Sequence, residues 1–244
     1  MTDYDREAET YDASRGGEAR AAATAEAVER LLPEGTRALV DVACGTGIVT
    51  RRLCRPRRAV LGVDRSRGMI ERASGRLPHG VAFGDATRLP IASARADAVL
   101  LIWLLHLLPD AAPVLAEGAR VLRDGGVLVT TVDKDEAAFS IESDVAATTA
   151  PLRRKYAPMA ADHVDRVVRL AASHGLRLVS EASFAGIGQG RSPRQWRERI
   201  IAGSFPWSRE ADPEEIADLC QDLSSLPGQE VARPDPRYRL IALS

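Results

Sequence analysis

The length, composition and charge of the chain limit what kind of protein it can be. It has 244 residues, 45% hydrophobic and 27% charged, which is enough for one substantial core and a small appendage. The 33 Lys and Arg residues nearly balance the 34 Asp and Glu residues, which argues against sequence-independent binding to phosphates. The arginine-rich stretches at 51–58 and 153–155 are interpreted as solvated surface. We therefore expect no nucleic-acid partner.

The sequence predicts a cytoplasmic protein without a bound metal, as its apolar runs, its N-terminal residues and the spacing of its cysteines indicate. The longest apolar run, residues 98–108, has about half the length that a membrane-spanning helix needs. The N-terminus is polar and acidic, unlike a signal peptide. Three widely spaced cysteines favour neither a disulfide framework nor a cysteine-rich metal site. We expect no membrane association and no metal.

Short apolar runs alternate with amphipathic segments along the chain. Helices are predicted over residues 19–32, near 47–55, near 66–75 and near 110–122. Strands are predicted near 37–42, 58–63, 79–83, 97–102 and 125–132, with a sixth near 176–184 and a closing strand at 238–243. This alternation predicts an α/β protein whose ligand lies at the carboxyl ends of parallel strands.

The most informative segment is the sequence Leu-Val-Asp-Val-Ala-Cys-Gly-Thr-Gly at residues 39–47. A buried strand runs into a turn whose Gly45 and Gly47 permit positive φ and let a ligand approach the backbone. Thr50 occupies the third glycine position of the dinucleotide fingerprint, which disfavours an NAD-dependent oxidoreductase. Asp41 would repel phosphate but suits a ligand that carries an ammonium or sulfonium. A tight turn without a ligand is the alternative interpretation.

Two further predicted strands also end in carboxylates. Asp64 follows roughly 20 residues on, the distance at which a β-α-β unit presents an acid to ribose hydroxyls. Asp85 can accept a hydrogen bond from an adenine amine, and the amide of Ala86 can donate to a ring nitrogen. Asp64 is alternatively an ordinary turn residue, and Ser66 is the predicted N-cap of the helix that follows it.

Four segments in this order resemble the motifs of a known enzyme family. They are residues 40–47, 64–70, 81–90 and the Gly-Gly pair with its strand at 122–131. The chain resembles the class I S-adenosylmethionine-dependent methyltransferases, in the branch of the ubiquinone/menaquinone-biosynthesis and small-molecule enzymes. The resemblance implies a Rossmann-like, doubly wound seven-stranded sheet, mostly parallel with an antiparallel closing strand. It also implies S-adenosylmethionine as cofactor and S-adenosylhomocysteine as product.

The resemblance further implies which residues hold the cofactor. In the family the glycine-rich loop lies against the cofactor, and Asp41 orders that loop and the methionine amino group. An N-terminal lid, residues 1–17, approaches the methionine end, although a disordered tail is the alternative. The predicted cofactor-binding residues are Tyr11, Arg15, Asp41, Ala43, Cys44, Gly45, Gly47, Asp64, Arg65, Met69, Asp85, Ala86, Ile102 and Trp103.

Methyl transfer needs a base only if the acceptor must lose a proton, because the sulfonium is already activated. His106, just past the fourth predicted strand, is the predicted catalytic residue, at a position where the family often has a histidine. A structural histidine hydrogen-bonded to backbone is the alternative. Asp133 and His163 are weaker candidates on placement alone.

Two stretches outside the regular core, 134–161 and 189–236, are predicted to be acceptor-side insertions in a single domain spanning 1–244. Their candidate pocket residues are Phe139, Tyr156 and Met159 in the first and Trp196, Phe205 and Trp207 in the second. The two tryptophans are equally well interpreted as core anchors.

The predicted function is methyl transfer from S-adenosylmethionine to a small-molecule, specialised-metabolite acceptor, carried out by a monomer or homodimer. A nucleic-acid or protein methyltransferase on the same scaffold is one alternative, and a non-catalytic cofactor-binding protein is another. The sequence leaves the acceptor and its methylated atom open.

Overall fold

The computed structural model describes residues 4–156 and 160–244, so the predicted pocket residue Met159 lies outside the described residues. The chain divides into two compact units. Within the described ranges, the first unit contains residues 4–133, 161–184 and 238–244, and the second contains 134–156, 160 and 185–237. The two stretches predicted as insertions thus fall almost entirely in the second unit. Their role toward an acceptor stays a prediction.

A seven-stranded sheet in the order β3-β2-β1-β4-β5-β7-β6 organises the first unit. The strands are β1 (Ala38–Val42), β2 (Ala59–Asp64), β3 (Val81–Phe83), β4 (Ala96–Leu101), β5 (Leu122–Val132), β6 (Leu178–Ala185) and β7 (Arg237–Leu243). Strands β1 to β5 pair in parallel, whereas β7 is antiparallel to β5. Arg177 and Ser244 exchange two backbone hydrogen bonds of 2.9 Å beside the β6–β7 pair. The predicted Rossmann-like, doubly wound sheet with an antiparallel closing strand is confirmed.

The α-helices occur both between the strands and in the second unit. In chain order they are α1 (Tyr4–Glu7), α2 (Tyr11–Ser14), α3 (Gly17–Glu29), α4 (Arg67–Ser74), α5 (Ala112–Val121), α6 (Asp144–Lys155), α7 (Val164–Ala172), α8 (Pro193–Ile201), α9 (Pro206–Glu210) and α10 (Pro213–Ser225). Short 3₁₀ helices cover Thr50–Leu53, Leu105–Leu107 and Ala137–Phe139. No helix of the described ranges is long and apolar enough to cross a membrane.

The core of the first unit forms where helices cover the faces of the sheet. On α5, Val114, Leu115, Gly118 and Val121 are buried at spacings that place them on one helix face. Gly118 lets that face approach β5 closely, since a Cβ at this position would lie 2.7 Å from Leu128 Cδ1. This packing holds α5 against the middle of β4 and β5, where Val99 and Leu128 lie.

The helix predicted near 47–55 is largely wrong. Only the 3₁₀ helix Thr50–Leu53 forms, and Cys54 already has extended backbone with ψ 129°. Pro56 disfavours helical backbone at Arg55, the residue before it, so the helix could not continue to the predicted end at residue 55. The glycine-rich loop therefore runs into a single tight turn.

Aromatic and aliphatic side chains form a hydrophobic core within the second unit. Trp196, Phe205 and Trp207 are 4%, 7% and 3% exposed. Phe205 stacks on both tryptophans, with ring centroids 5.3 Å from Trp196 and 5.7 Å from Trp207. Leu219 and Leu223 of α10 complete this cluster. Its burial supports the interpretation of the tryptophans as core anchors.

Candidate active site

A cleft of about 1240 Å³, solvent at its mouth included, lies within the first unit at the carboxyl ends of its strands. Asp41 is the penultimate residue of β1, Asp64 ends β2, and Ile102 follows β4. The cleft therefore lies where the strand order reverses between β1 and β4, the position at which open α/β sheets bind ligands.

Most of the predicted cofactor-binding residues line this cleft. The residues that do so are Tyr11, Asp41, Ala43, Cys44, Gly45, Asp64, Arg65, Met69, Asp85, Ala86, Ile102 and Trp103. Gly47 and Arg15 are the two exceptions. Gly47 has φ +73°, and a Cβ there would lie 3.3 Å from that of Ala73, so it packs the loop against α4. The structure thus gives Gly47 a packing role and brings the other twelve together.

Asp64 connects the glycine-rich loop to the start of α4. One carboxylate oxygen accepts from the amide of Gly45 at 2.8 Å, and the other accepts from the amide of Ser66 at 2.9 Å. Each oxygen retains a second lone pair for a ligand hydroxyl. Asp64 can therefore order the loop and bind a ribose at the same time.

Asp41 is a buried carboxyl group at the base of the cleft. It is 3% exposed, and its Oδ2 accepts a hydrogen bond from the hydroxyl of Thr50. Burial raises the pKa of Asp41 to about 7 because it penalises the charged form. Binding of a cationic ligand would favour the charged carboxylate form of Asp41 over its protonated form.

Asp85 and α4 provide groups suited to an adenine ring. Asp85 Oδ1 accepts from both the amide and the hydroxyl of Thr87 at 2.7 Å, and these bonds lower the pKa of Asp85. Its other oxygen can accept from an exocyclic amine. Ser66 caps α4 as predicted, since its hydroxyl accepts from the amide of Met69 at 3.2 Å.

Cys44 is a packed residue of the loop and not an activated thiol. Burial and the nearby charges of Asp41 and Asp64 raise the pKa of Cys44 far above that of a reactive thiolate. Gly62 makes room for it, because a Cβ there would lie 2.7 Å from Cys44 Sγ.

The N-terminal segment contacts the cofactor loops through two aspartates. Asp5 accepts from the hydroxyl of Ser66 at 2.6 Å and from the amide of Gly68 at 3.0 Å. Asp12 accepts from the hydroxyl of Thr46 at 2.5 Å and forms an ion pair with Arg76 at 2.8 Å. These contacts place Tyr4 and Tyr11 of α1 and α2 in the wall of the cleft. A role of residues 1–17 as a lid stays a prediction.

Replacing Gly68 with alanine should displace the N-terminal segment, the predicted lid, without changing any cleft residue. A Cβ at Gly68 would lie 2.9 Å from the carbonyl oxygen of Asp5. We expect faster proteolysis of the first 17 residues and at least threefold faster dissociation of S-adenosylmethionine. Gly75→Ala is the matched control, because the nearest atom to its Cβ would be 3.8 Å away. Equal behaviour of both variants would exclude the lid contact.

The structure places Arg20, which was not predicted, in the cleft wall, whereas the predicted Arg15 lies outside it. Arg15 forms an ion pair with Glu7 at 3.3 Å and is not among the described residues that line the cleft. Arg20 of α3 lines it, with its guanidinium 4.8 Å from the ring centroid of Trp103. Burial lowers the pKa of Arg20, and a hydrogen bond to Tyr238 opposes this effect. Sequence reasoning missed Arg20, although it lies at helical spacing from the buried Thr24.

Arg20→Met should weaken S-adenosylmethionine binding by about 10- to 100-fold, because charged hydrogen bonds contribute about 1.5–3 kcal/mol. The physical reason is loss of the half-buried cation that can pair with the methionine carboxylate. Arg15→Met serves as the control and should bind with wild-type affinity. Calorimetric titration compares the affinities of the two variants. Weaker binding by Arg15→Met than by Arg20→Met would show that Arg15, and not Arg20, contributes to the site.

The predicted catalytic residue His106 does not lie in the cleft wall. It belongs to the 3₁₀ helix Leu105–Leu107. Its sequence neighbours Leu104, Leu107 and Leu108 line the cleft, but His106 is not among the described residues that do so. A role for His106 as a base stays a prediction without geometric support.

The weaker candidates Asp133 and His163 lie where α7 begins. Asp133 accepts from the amide of Val164 at 3.1 Å and lies 3.4 Å from Arg239, while His163 immediately precedes the helix. These contacts give Asp133 a structural role.

Comparison with known proteins agrees with this geometry. Residues 40–130 match the family model of a methyltransferase domain. The chain is 38% identical over 104 residues to an uncharacterised methyltransferase of Mycobacterium tuberculosis, covering 42% of each chain. It is 40% identical over 97 residues to a ubiquinone/menaquinone biosynthesis C-methyltransferase of Desulfotalea psychrophila, covering 38% of this chain and 39% of that one. The matched region thus spans less than half the length of these curated relatives.

The fold agrees with that of a solved methyltransferase structure over most of the chain. A putative methyltransferase of Bacillus halodurans superimposes with a TM-score of 0.58 at 20% identity, covering 90% of this chain and 96% of that one. At this identity the likeness concerns the fold alone. The motifs, the cleft and the match of residues 40–130 to a methyltransferase domain agree with the resemblance to the class I S-adenosylmethionine-dependent methyltransferases.

Proposed function

We propose that this protein transfers a methyl group from S-adenosylmethionine to a small-molecule acceptor. The observation that carries the proposal is the convergence of Asp41, Asp64 and Asp85 on one cleft from the ends of three successive strands. Three carboxylates separated in this way can meet an ammonium, a ribose and an adenine amine. A dinucleotide pyrophosphate beside the glycine-rich loop would instead be repelled by the carboxylate of Asp41.

The polar groups of the cleft match the polar groups of the cofactor one by one. Asp64 would accept from the ribose hydroxyls, and Asp85 with the amide of Ala86 would bind the adenine edge. Arg20 would bind the methionine carboxylate, because its planar guanidinium can contact two oxygens at once. Asp41 would face the cationic end of the amino acid.

The bound cofactor supplies an activated methyl group on its sulfonium. The protein's part is to position that group and to exclude water, for which the apolar wall formed by Leu104, Leu107, Leu108 and Val114 is suited. Bound there, the cofactor would give its methyl group to an acceptor atom with a free electron pair. Because the thioether left behind would be neutral, the protein would need no acid.

The acceptor is proposed to be a small, specialised metabolite. The near-neutral charge of the chain supports this choice over a polyanion. The relative from Desulfotalea psychrophila, named for ubiquinone and menaquinone biosynthesis, also supports it. We further infer action in the cytoplasm as a monomer or homodimer.

Label transfer tests the proposal. Purified protein is incubated with methyl-labelled S-adenosylmethionine and separate pools of phenols, quinols, amines and carboxylic acids, alongside RNA and a protein extract. We expect label in one small-molecule pool and a product heavier by one methyl group. Label only in RNA or protein, or in no pool despite bound cofactor, would overturn the small-molecule assignment.

A further inference from the structure

The buried pair of Asp41 and Thr50 is not explained by cofactor contacts alone. Thr50 is fully buried, and its hydroxyl donates to the Oδ2 of Asp41. A glycine, which the dinucleotide fingerprint has at this position, could not make that bond. The threonine therefore gives the loop a hydrogen-bond donor directed at the carboxyl group of Asp41.

The surroundings of Asp41 disfavour a negative charge while the site holds no cation. Asp64 faces it from the end of β2, and the thiol of Cys44 faces it from the following loop. Leu100 is its neighbour on β4. Of the ion pairs formed within residues 4–156 and 160–244, none includes Asp41. A buried carboxyl group in these surroundings favours its protonated form.

The cations of the cleft belong to other parts of its wall. Arg20 comes from α3 and interacts with Trp103, Tyr11 and Tyr238. Arg65 follows β2, and its charge interacts electrostatically with Tyr4 and Asp85. The compensating charge for Asp41 must therefore come from the ligand.

We propose that binding of S-adenosylmethionine is coupled to release of a proton from Asp41, with Thr50 as the positioning residue that stabilises the resulting carboxylate. This inference rests on the proposed function. The O–H bond of the Asp41 carboxyl group breaks, its electron pair stays on the carboxylate, and the proton leaves to solvent. The cationic end of the ligand takes the proton's place, and no covalent bond forms to the ligand.

The coupling predicts how affinity depends on pH. Burial raises the pKa of Asp41 to about 7. If only the carboxylate binds tightly, affinity should rise about fivefold from pH 6 to pH 7, with release of about half a proton at pH 7. The α-amino group of the ligand titrates near pH 7.7–8.0, so the comparison is confined to lower pH.

Calorimetric titration with S-adenosylmethionine in two buffers of different ionisation enthalpy counts the released protons. For the wild type we expect about one proton at pH 6 and about half at pH 7. Asp41→Asn should release at least half a proton fewer at pH 6 and bind with nearly pH-independent affinity. Wild-type binding without proton release would overturn the inference and leave the proposed function intact. Absence of any binding would instead remove the proposed function and the inference together.

Substitutions at Thr50 separate positioning from packing. Thr50→Val keeps the shape but removes the hydroxyl, so the pH dependence should move to higher pH and affinity at pH 7 should fall at least threefold. Thr50→Ser should restore the wild-type profile. Thr36→Val is the control, because Thr36 is also buried but its hydroxyl donates to the carbonyl of Pro33. An equal loss at every pH in Thr50→Val would show a merely structural role and contradict the assignment of Thr50.

Discussion

Replacing Asp64 with alanine should weaken S-adenosylmethionine binding by at least a hundredfold. The change removes the acceptor for the amides of Gly45 and Ser66 as well as the proposed ribose contact. Hydrogen bonds to charged groups contribute about 1.5–3 kcal/mol each, and about 1.4 kcal/mol changes affinity tenfold. Calorimetric titration of the folded variant measures the loss.

Asp97→Ala is the matched control for this experiment. Asp97 accepts from the amides of Arg37 and Ala38, both at 2.8 Å, where β1 begins. Its loss should lower stability while leaving the affinity for S-adenosylmethionine unchanged. If both variants bind normally, Asp64 is excluded from the site. If both bind poorly, the effect of Asp64 is general destabilisation.

Trp207→Ala should lower the free energy of unfolding by about 3–5 kcal/mol, the usual cost of removing a large buried aromatic side chain. Trp207 is 3% exposed and stacks on Phe205. Its indole Nε1 is buried and makes no hydrogen bond to the described residues. Trp207→Phe therefore loses volume but no polar contact and should cost about half as much or less. Denaturant unfolding followed by circular dichroism compares the variants.

A different outcome would change the role of the aromatic cluster. If Trp207→Ala unfolds at the wild-type midpoint but loses turnover of an identified acceptor, the cluster binds substrate and is not a core. The same loss of stability in Val231→Ala, whose side chain is 62% exposed, would show that the assay does not report on this core.

The sequence predicted the sheet well because the central strands are runs of mostly apolar residues, with a carboxylate near the end of β1 and at the end of β2. Val40 and Val42 flank Asp41, and Val60 and Val63 precede Asp64. A strand of this kind can be recognised from its own residues, without knowledge of the rest of the fold. The helix predicted after the glycine-rich loop was largely wrong, and Pro56 explains only the loss of helical backbone at Arg55.

The parts of the site that sequence reasoning missed depend on long-range packing. Arg20 and Arg15 lie five residues apart beside Gly16 and Gly17, and only the course of the chain decides which reaches the cleft. The backbone of the 3₁₀ helix Leu105–Leu107 determines which side chains there face the cleft. Leu104, Leu107 and Leu108 line it, whereas the neighbouring His106 does not. Outside the site, the residues around Phe205 in the sequence also do not predict that its ring stacks on Trp196.

Titration of the purified protein with S-adenosylmethionine, S-adenosylhomocysteine and NAD, each followed by calorimetry, tests the central claim most directly. We predict saturable binding of one equivalent of either adenosyl ligand in the cleft of the first unit, and no measurable binding of NAD. Arg20→Met and Asp64→Ala should weaken both adenosyl ligands. Tight binding of NAD with no binding of S-adenosylmethionine would contradict the assignment of this cleft as a methyl-donor site.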